Sequence, residues 1–270
     1  MLALLGIPYD LNSSFLRGPA LAPPRIRQMA KDGSANDFSE LGHEIIAGKT
    51  YHDFGDLSFP DPKPQQAFEH IRSGVEGLLA QGYRVLSLGG DHSVTYPIVA
   101  AHSTHFPPFN ILHFDAHGDL YHNFDNNPYS HASPFARIME QGMARRLIQV
   151  GIRALNTHQR EQAQRFGVDM IEMKDFSFDF ISKLEGPLYI SLDLDVLDPA
   201  FAPGVSHHEP GGLSVRDVLN VMHKIKIPII GADIVEYNPV RDLNDQTAMV
   251  GFKMMKEIMA LMLEQKPAAI

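Results

Sequence analysis

Along the chain, short apolar runs rich in Leu, Ile and Val alternate with longer stretches whose apolar residues recur every three to four positions. The short runs predict strands at 2–7, 50–54, 84–88, 110–114, 147–151, 169–172, 188–192 and 227–231. The longer ones predict helices at 24–30, 64–81, 94–105, 133–141, 158–165, 214–223 and 247–263. Strands separated by helices must be mostly parallel, with right-handed crossovers and helices on both faces. The expected fold is one α/β domain over residues 1–270, a three-layer α/β/α sandwich on a mainly parallel sheet of about eight strands. No linker, repeat or low-complexity tract interrupts the alternation.

In such a sheet ligands gather beyond the carboxyl ends of the strands, so the polar residues that follow each apolar run carry the chemistry. The fourth run continues as Asp115-Ala-His-Gly-Asp119, with Asp115, His117 and Asp119 at i, i+2 and i+4 and hence on one face of extended chain. The seventh carries Asp193 and Asp195 at i and i+2; the third ends in Gly89-Gly-Asp-His-Ser93, with Asp91 and His92 after a glycine turn. The eighth is followed by Gly231-Ala-Asp-Ile-Val-Glu236. A single Asp at a strand end does no more than cap a helix or close a turn. Carboxylates converging from several core strands are different, because buried anions repel and raise one another's pKa unless a cation neutralises them.

The donor set then restricts the cation. The chain has no cysteine, so disulfides, thiolate metal sites and cysteine nucleophiles are excluded together. Two imidazoles, His92 and His117, with four carboxylates, Asp115, Asp119, Asp193 and Asp195, suit Mn²⁺ and also admit Zn²⁺, Fe²⁺, Ni²⁺ or Co²⁺. Six ligands exceed the needs of one ion, whereas two ions sharing bridging carboxylates use them all. Neither a dinucleotide nor a P-loop glycine pattern is present, and Ser93 beside His92 is no triad.

Overall charge narrows the partners. Twenty-three Lys and Arg against 32 Asp and Glu give a net charge of −9, which disfavours nucleic acid and anionic membrane surfaces and suits a small cationic substrate. The opening residues lack the basic region of a secretory signal and no later run reaches the ~18 apolar residues of a membrane span, so cytoplasm is the expected compartment. The 12 methionines, several near the C-terminus, read as helix packing.

The blocks Gly89-Gly-Asp-His-Ser93, Asp115-Ala-His-Gly-Asp119 and Ser191-Leu-Asp-Leu-Asp-Val-Leu-Asp-Pro199, in this order, resemble the signature blocks of the ureohydrolase (arginase/agmatinase) family. The likeness extends over nearly the whole chain; Asn12-Ser-Ser-Phe-Leu-Arg-Gly-Pro19 and the stretch from Tyr129 to Met139 are most similar to plant-type arginases. The resemblance implies a binuclear manganese hydrolase that cuts urea from arginine or agmatine, with one ion on His92, Asp115, Asp119 and Asp193 and the other on Asp115, His117, Asp193 and Asp195. It implies further that Glu236 grips the guanidinium, that His131 shuttles protons, that Asp119 hands a proton to the leaving amine, and that the protein is a trimer or hexamer.

Two features depart from the animal-type pattern. Tyr121 stands where animal-type arginases carry an asparagine that reads the amino-acid end of arginine, and Gly118 fills a position where the family often has a larger residue. His207-His208-Glu209, after the seventh strand, either selects the substrate tail through His207 and Glu209 or is a solvated loop. Guanidinobutyrate and formimidoylglutamate fall within the same chemistry. The rivals are a one-zinc amide deacetylase on the related deacetylase fold and a non-catalytic regulator that keeps the fold.

Overall fold

The computed structural model describes residues 1–60 and 63–265. Eight strands form one sheet in the order β2-β1-β3-β8-β7-β4-β5-β6. They are β1 (Leu2–Gly6), β2 (Tyr51–Asp56), β3 (Arg84–Leu88), β4 (Asn110–Phe114), β5 (Arg146–Ile152), β6 (Asp169–Glu172), β7 (Leu188–Asp193) and β8 (Ile229–Val235). Every pairing is parallel. The helices are α1 (Ala22–Met29), α2 (Pro64–Ala80), α3 (Thr95–His105), α4 (Pro134–Glu140), α5 (Thr157–Phe166), α6 (Val215–Lys224) and α7 (Gln246–Glu264).

Alternation along the strands divides the interior into two layers. In β1, Leu2 and Leu4 face one core while Ala3 and Leu5 face the other. The first core is closed by Ile26 and Met29 of α1, Val218 and Met222 of α6, and Phe252, Met255 and Ile258 of α7. The second is closed by Ile71 and Val75 of α2, Val99 of α3, Phe135 and Ile138 of α4, and Ala163 of α5. Burying each large apolar side chain contributes about 1.5–3 kcal/mol, and both faces of the sheet are covered, which gives the three-layer sandwich.

Element ends agree with the periodic pattern to within two residues, except at β8. That strand was expected at 227–231 and instead runs to Val235, so Asp233 lies inside it and not in the loop beyond. The carboxylate survives in a core strand because Tyr189 Oη and Ser191 Oγ each donate to it at 2.7 Å and Thr95 Oγ1 at 3.1 Å. A charge in a strand looks like a boundary until its cross-strand donors are known.

The turn after β3 shows why glycine is required there. A Cβ on Gly90 would stand 1.9 Å from the carbonyl oxygen of Tyr9, which is backbone and cannot swing away. Gly90→Ala is therefore expected to lower unfolding free energy by about 3 kcal/mol, near the upper end for overpacking, read as a fall in the denaturant midpoint. An unchanged midpoint would show that the β3 turn and the Tyr9 loop are not packed as described.

Candidate metal centre and substrate cleft

The four central strands β3, β8, β7 and β4 are adjacent, and their carboxyl ends bring the candidate residues together. His92 begins a short turn after β3, capped by Asp91, whose carboxylate accepts from Ser93 N. Asp115, His117 and Asp119 follow β4, Asp193 ends β7 and Asp195 lies in the turn after it. Glu236 is the residue after β8. Asp119 and Glu236 hold φ of 49° and 63°, a left-handed conformation that costs a non-glycine residue about 1–3 kcal/mol and concentrates at functional sites.

His92 Nδ1 faces Asp115 Oδ2 at 3.2 Å, Asp119 Oδ2 at 3.2 Å and Asp193 Oδ2 at 3.1 Å. His117 Nδ1 faces Asp115 Oδ1 at 3.2 Å and Asp195 Oδ2 at 3.0 Å. Asp115 thus stands between the two imidazoles, one oxygen toward each. His92 Nδ1 is fully buried and makes no hydrogen bond of acceptable geometry to any of its three carboxylate neighbours. One nitrogen facing three carboxylate oxygens has the form of a cation cage, since at most one of them could receive its proton.

Electrostatics agree. Burial, then repulsion from Asp115, pushes the Asp119 carboxyl up to about 6, and burial with repulsion from Asp195 and Asp115 raises that of Asp193 further. Burial would raise Asp115 as well, but its contacts with His113 and His117 outweigh it and hold Asp115 well below the usual range. In the cluster as it stands, Asp119 and Asp193 hold their protons to higher pH than an ordinary carboxyl. A divalent cation is what would let all of them ionise.

The other nitrogen of His92 fixes which lone pair points into the cage. Ser191 Oγ has one proton and donates it to Asp233 Oδ1, so at 3.0 Å from His92 Nε2 it accepts from that nitrogen. The proton therefore sits on Nε2 and the Nδ1 lone pair is free for a ligand. Ser191→Ala is expected to weaken divalent-metal binding about tenfold in a chelator competition. Affinity within twofold of the unsubstituted protein would remove Ser191 from this role.

Beside the carboxylates, Glu236 Oε1 accepts from His92 N at 2.8 Å and from His131 Nδ1 at 2.8 Å, leaving Oε2 toward the cleft. Burial alone would lower the His131 pKa; the Glu236 charge and hydrogen bond outweigh it and raise the ring to about 9. His131 Nε2 then donates to Ser14 Oγ at 2.8 Å. Glu236 is itself held below the usual carboxylate range, burial being overcome by the His131 charge and the hydrogen bonds from His131 and His92 N.

These groups line a cleft of about 360 Å³ together with Ser14, Tyr121, Asn156 and His207. Tyr121 accepts from Asn156 Nδ2 at 2.6 Å and stacks on His158. His207 sits between the rings of His117 and His131, with centroids 5.7 and 5.5 Å away, and burial followed by the His117 charge lowers its pKa. Glu209 is not among the residues lining this cleft; its carbonyl oxygen accepts from Arg153 Nε at 2.9 Å and Nη2 at 2.6 Å.

Sequence reasoning passed over His113, Gln149, Ser191 and Ser14. His113 shares the one-face alternation of 113, 115 and 117 and was detectable from it. Ser191 likewise shares the alternation of 191, 193 and 195, whereas Gln149 and Ser14 carried no comparable spacing.

The fold and the site together define an α/β metallohydrolase scaffold with a histidine and carboxylate cluster at the centre of a parallel sheet. A model of the arginase family matches residues 1–261. Arginase 1, mitochondrial, of Arabidopsis thaliana is 50% identical over 273 residues, covering 96% of this chain and 80% of its own. Agmatinase of Bacillus subtilis (strain 168) is 31% identical over 262 residues, covering 95% and 90%. Among solved structures, arginase from Medicago truncatula superposes with a TM-score of 0.91 at 44% identity, covering 96% of this chain and 86% of that one. The chain belongs to the arginase family and is a hydrolase of the arginase/agmatinase type.

Proposed function

We propose that the protein hydrolyses arginine to ornithine and urea in a binuclear manganese site, as one catalytic domain. The observation that carries this is His92 Nδ1, buried and unpartnered, with three carboxylate oxygens 3.1–3.2 Å away. His92, Asp115, Asp119 and Asp193 would hold one ion and Asp115, His117, Asp193 and Asp195 the other, an N and O donor set that fits Mn²⁺. When bound, the pair would supply hydroxide at neutral pH by lowering the pKa of a water.

The chain's own residues do the rest. Glu236 Oε2 accepts from the planar N–H fork of the guanidinium and fixes its carbon above the carboxylate cluster. Asp119, beside the cleft, would carry a proton from the nucleophile to the departing nitrogen. His131, bridged between Glu236 and Ser14, exchanges protons with solvent at the cleft mouth. His207 and Tyr121 face the substrate tail.

Agmatine is the second reading, on a specific ground. Among the described residues, no Lys or Arg lines the cleft to pair with an α-carboxylate, while Tyr121 and Asn156 offer neutral partners. Guanidinobutyrate and formimidoylglutamate share the chemistry; formimidoylglutamase of Bacillus subtilis superposes with a TM-score of 0.88 at 26% identity. Urea release from arginine, agmatine and guanidinobutyrate, with manganese and then with chelator, tests the proposal. Cleavage of none of them by manganese-loaded protein would overturn it.

The proposal includes a homotrimer or homohexamer and a cytoplasmic location. Residues 2–6 are a core strand paired on both sides. No described helix is long and apolar enough to cross a membrane. The Arabidopsis relatives are named as mitochondrial or chloroplastic, so cell fractionation decides the compartment.

A further inference from the structure

Below the site a row of polar residues crosses the core of the sheet. Ser87 of β3 is in register with Asp233 of β8, Asp233 with Ser191 of β7, Ser191 with His113 of β4, and His113 with Gln149 of β5. All five are 0% exposed. Such a belt in a core otherwise made of Leu, Ile and Val is costly unless its groups are paired and used. The Asp233–Ser191 half aims His92. The His113–Gln149 half has no role in the chemistry proposed above.

The protons in that half can be placed by elimination. The terminal atom of Gln149 lies 2.6 Å from the carbonyl oxygen of Gly118 and 3.0 Å from His113 Nδ1. A carbonyl only accepts, so this atom is the amide nitrogen, and its two hydrogens go to Gly118 O and to His113 Nδ1. His113 Nδ1 therefore accepts and the ring's proton is on Nε2, which lies 2.8 Å from Asp115 Oδ2. The ring cannot rotate away, because it stacks on Phe135 with centroids 3.9 Å apart at 29°. Gly118 precedes Asp119, so one amide reaches toward both carboxylates.

We propose that Gln149 and His113 are positioning residues that hold Asp115 Oδ2 and the Gly118–Asp119 backbone in the metal-receiving arrangement, with Gln149 dictating the Nε2–H tautomer of His113. The inference rests on the reading of Asp115 and Asp119 as metal ligands. Gln149→Glu is a sharp test because it keeps the shape and removes both donors. Its carboxylate would draw the His113 proton to Nδ1, turning an Nε2 lone pair against Asp115 Oδ2, and would oppose the Gly118 carbonyl. By charge alone an added carboxylate would tighten cation binding, whereas the positioning role requires it to weaken.

Manganese dissociation constants measured by chelator competition on the unsubstituted protein, Gln149→Glu and Gln149→Met give the first readout. Tenfold or greater weakening in Gln149→Glu, with Gln149→Met weakened less, is expected. The second is the ¹⁵N spectrum of histidine-labelled, zinc-loaded protein, with the His113 signal assigned by its loss in His113→Phe. It should show a protonated Nε2, inverted to Nδ1 in Gln149→Glu. An Nδ1–H tautomer in the unsubstituted protein, or both Gln149 variants binding manganese within threefold of it, overturns the positioning role alone. If Gln149→Glu does not fold, Gln149→Met decides by the same threefold limit. Failure of the unsubstituted protein to bind manganese overturns the site reading and the positioning role with it.

Discussion

Replacing Glu236 with glutamine is expected to lower kcat/KM for a guanidino substrate by roughly a hundredfold or more, while manganese content and melting temperature stay close to those of the unsubstituted protein. The geometry explains the size of the effect. Glu236 Oε1 already accepts from His92 N and His131 Nδ1, so the oxygen of a glutamine is drawn to that position and its NH₂ is left facing the cleft. A donor then meets the N–H fork of a guanidinium, and an attraction becomes a repulsion inside a buried site. Loss of the carboxylate charge also lets His131 fall from about 9, since that charge and hydrogen bond are what outweigh its burial. Steady-state kinetics on arginine and agmatine check this, and retention of more than a third of the unsubstituted kcat/KM would remove Glu236 from the substrate site.

Removing metal should abolish hydrolysis and leave a carboxylate cage whose contribution to stability falls between about pH 4 and pH 7. Asp119 has a folded pKa of about 6, raised above the ~3.9 of an unfolded chain by burial and by Asp115. A group raised on folding binds its proton more tightly in the native state, so its stabilising contribution is complete below pH ~4 and is lost as pH rises through 6. The shift corresponds to about 3 kcal/mol, and Asp193, raised from the same cause of burial with repulsion from Asp195 and Asp115, acts in the same direction. Asp115, held low, changes its contribution only below this window. Melting curves of chelated and manganese-loaded protein across pH 4–7 provide the check. The gap between them should widen toward pH 7; a gap that is constant or narrows would contradict a carboxylate cage that needs a cation.

Much of this site was legible along the chain because its ligands come as short local motifs. Parallel strands bury both faces, so they read as near-continuous apolar runs, and a carboxylate immediately after one stands out. Asp115, His117 and Asp119 needed only strand alternation, and Asp193 with Asp195 repeated it. The same rule failed for Asp233, which looked like a strand end and proved to be a strand interior.

What the sequence by itself determined is the inventory: an α/β alternation, the absence of thiolates, six clustered N and O donors, and the family to which they point. Only the tertiary structure decided how those donors are oriented. Asp115 divides its two oxygens between His92 and His117. The proton of His92 is set from β7 and β8, and that of His113 from β5. The physical reason is that a hydrogen bond across a parallel sheet joins residues some 36 to 99 positions apart, and no local pattern records which strands become neighbours.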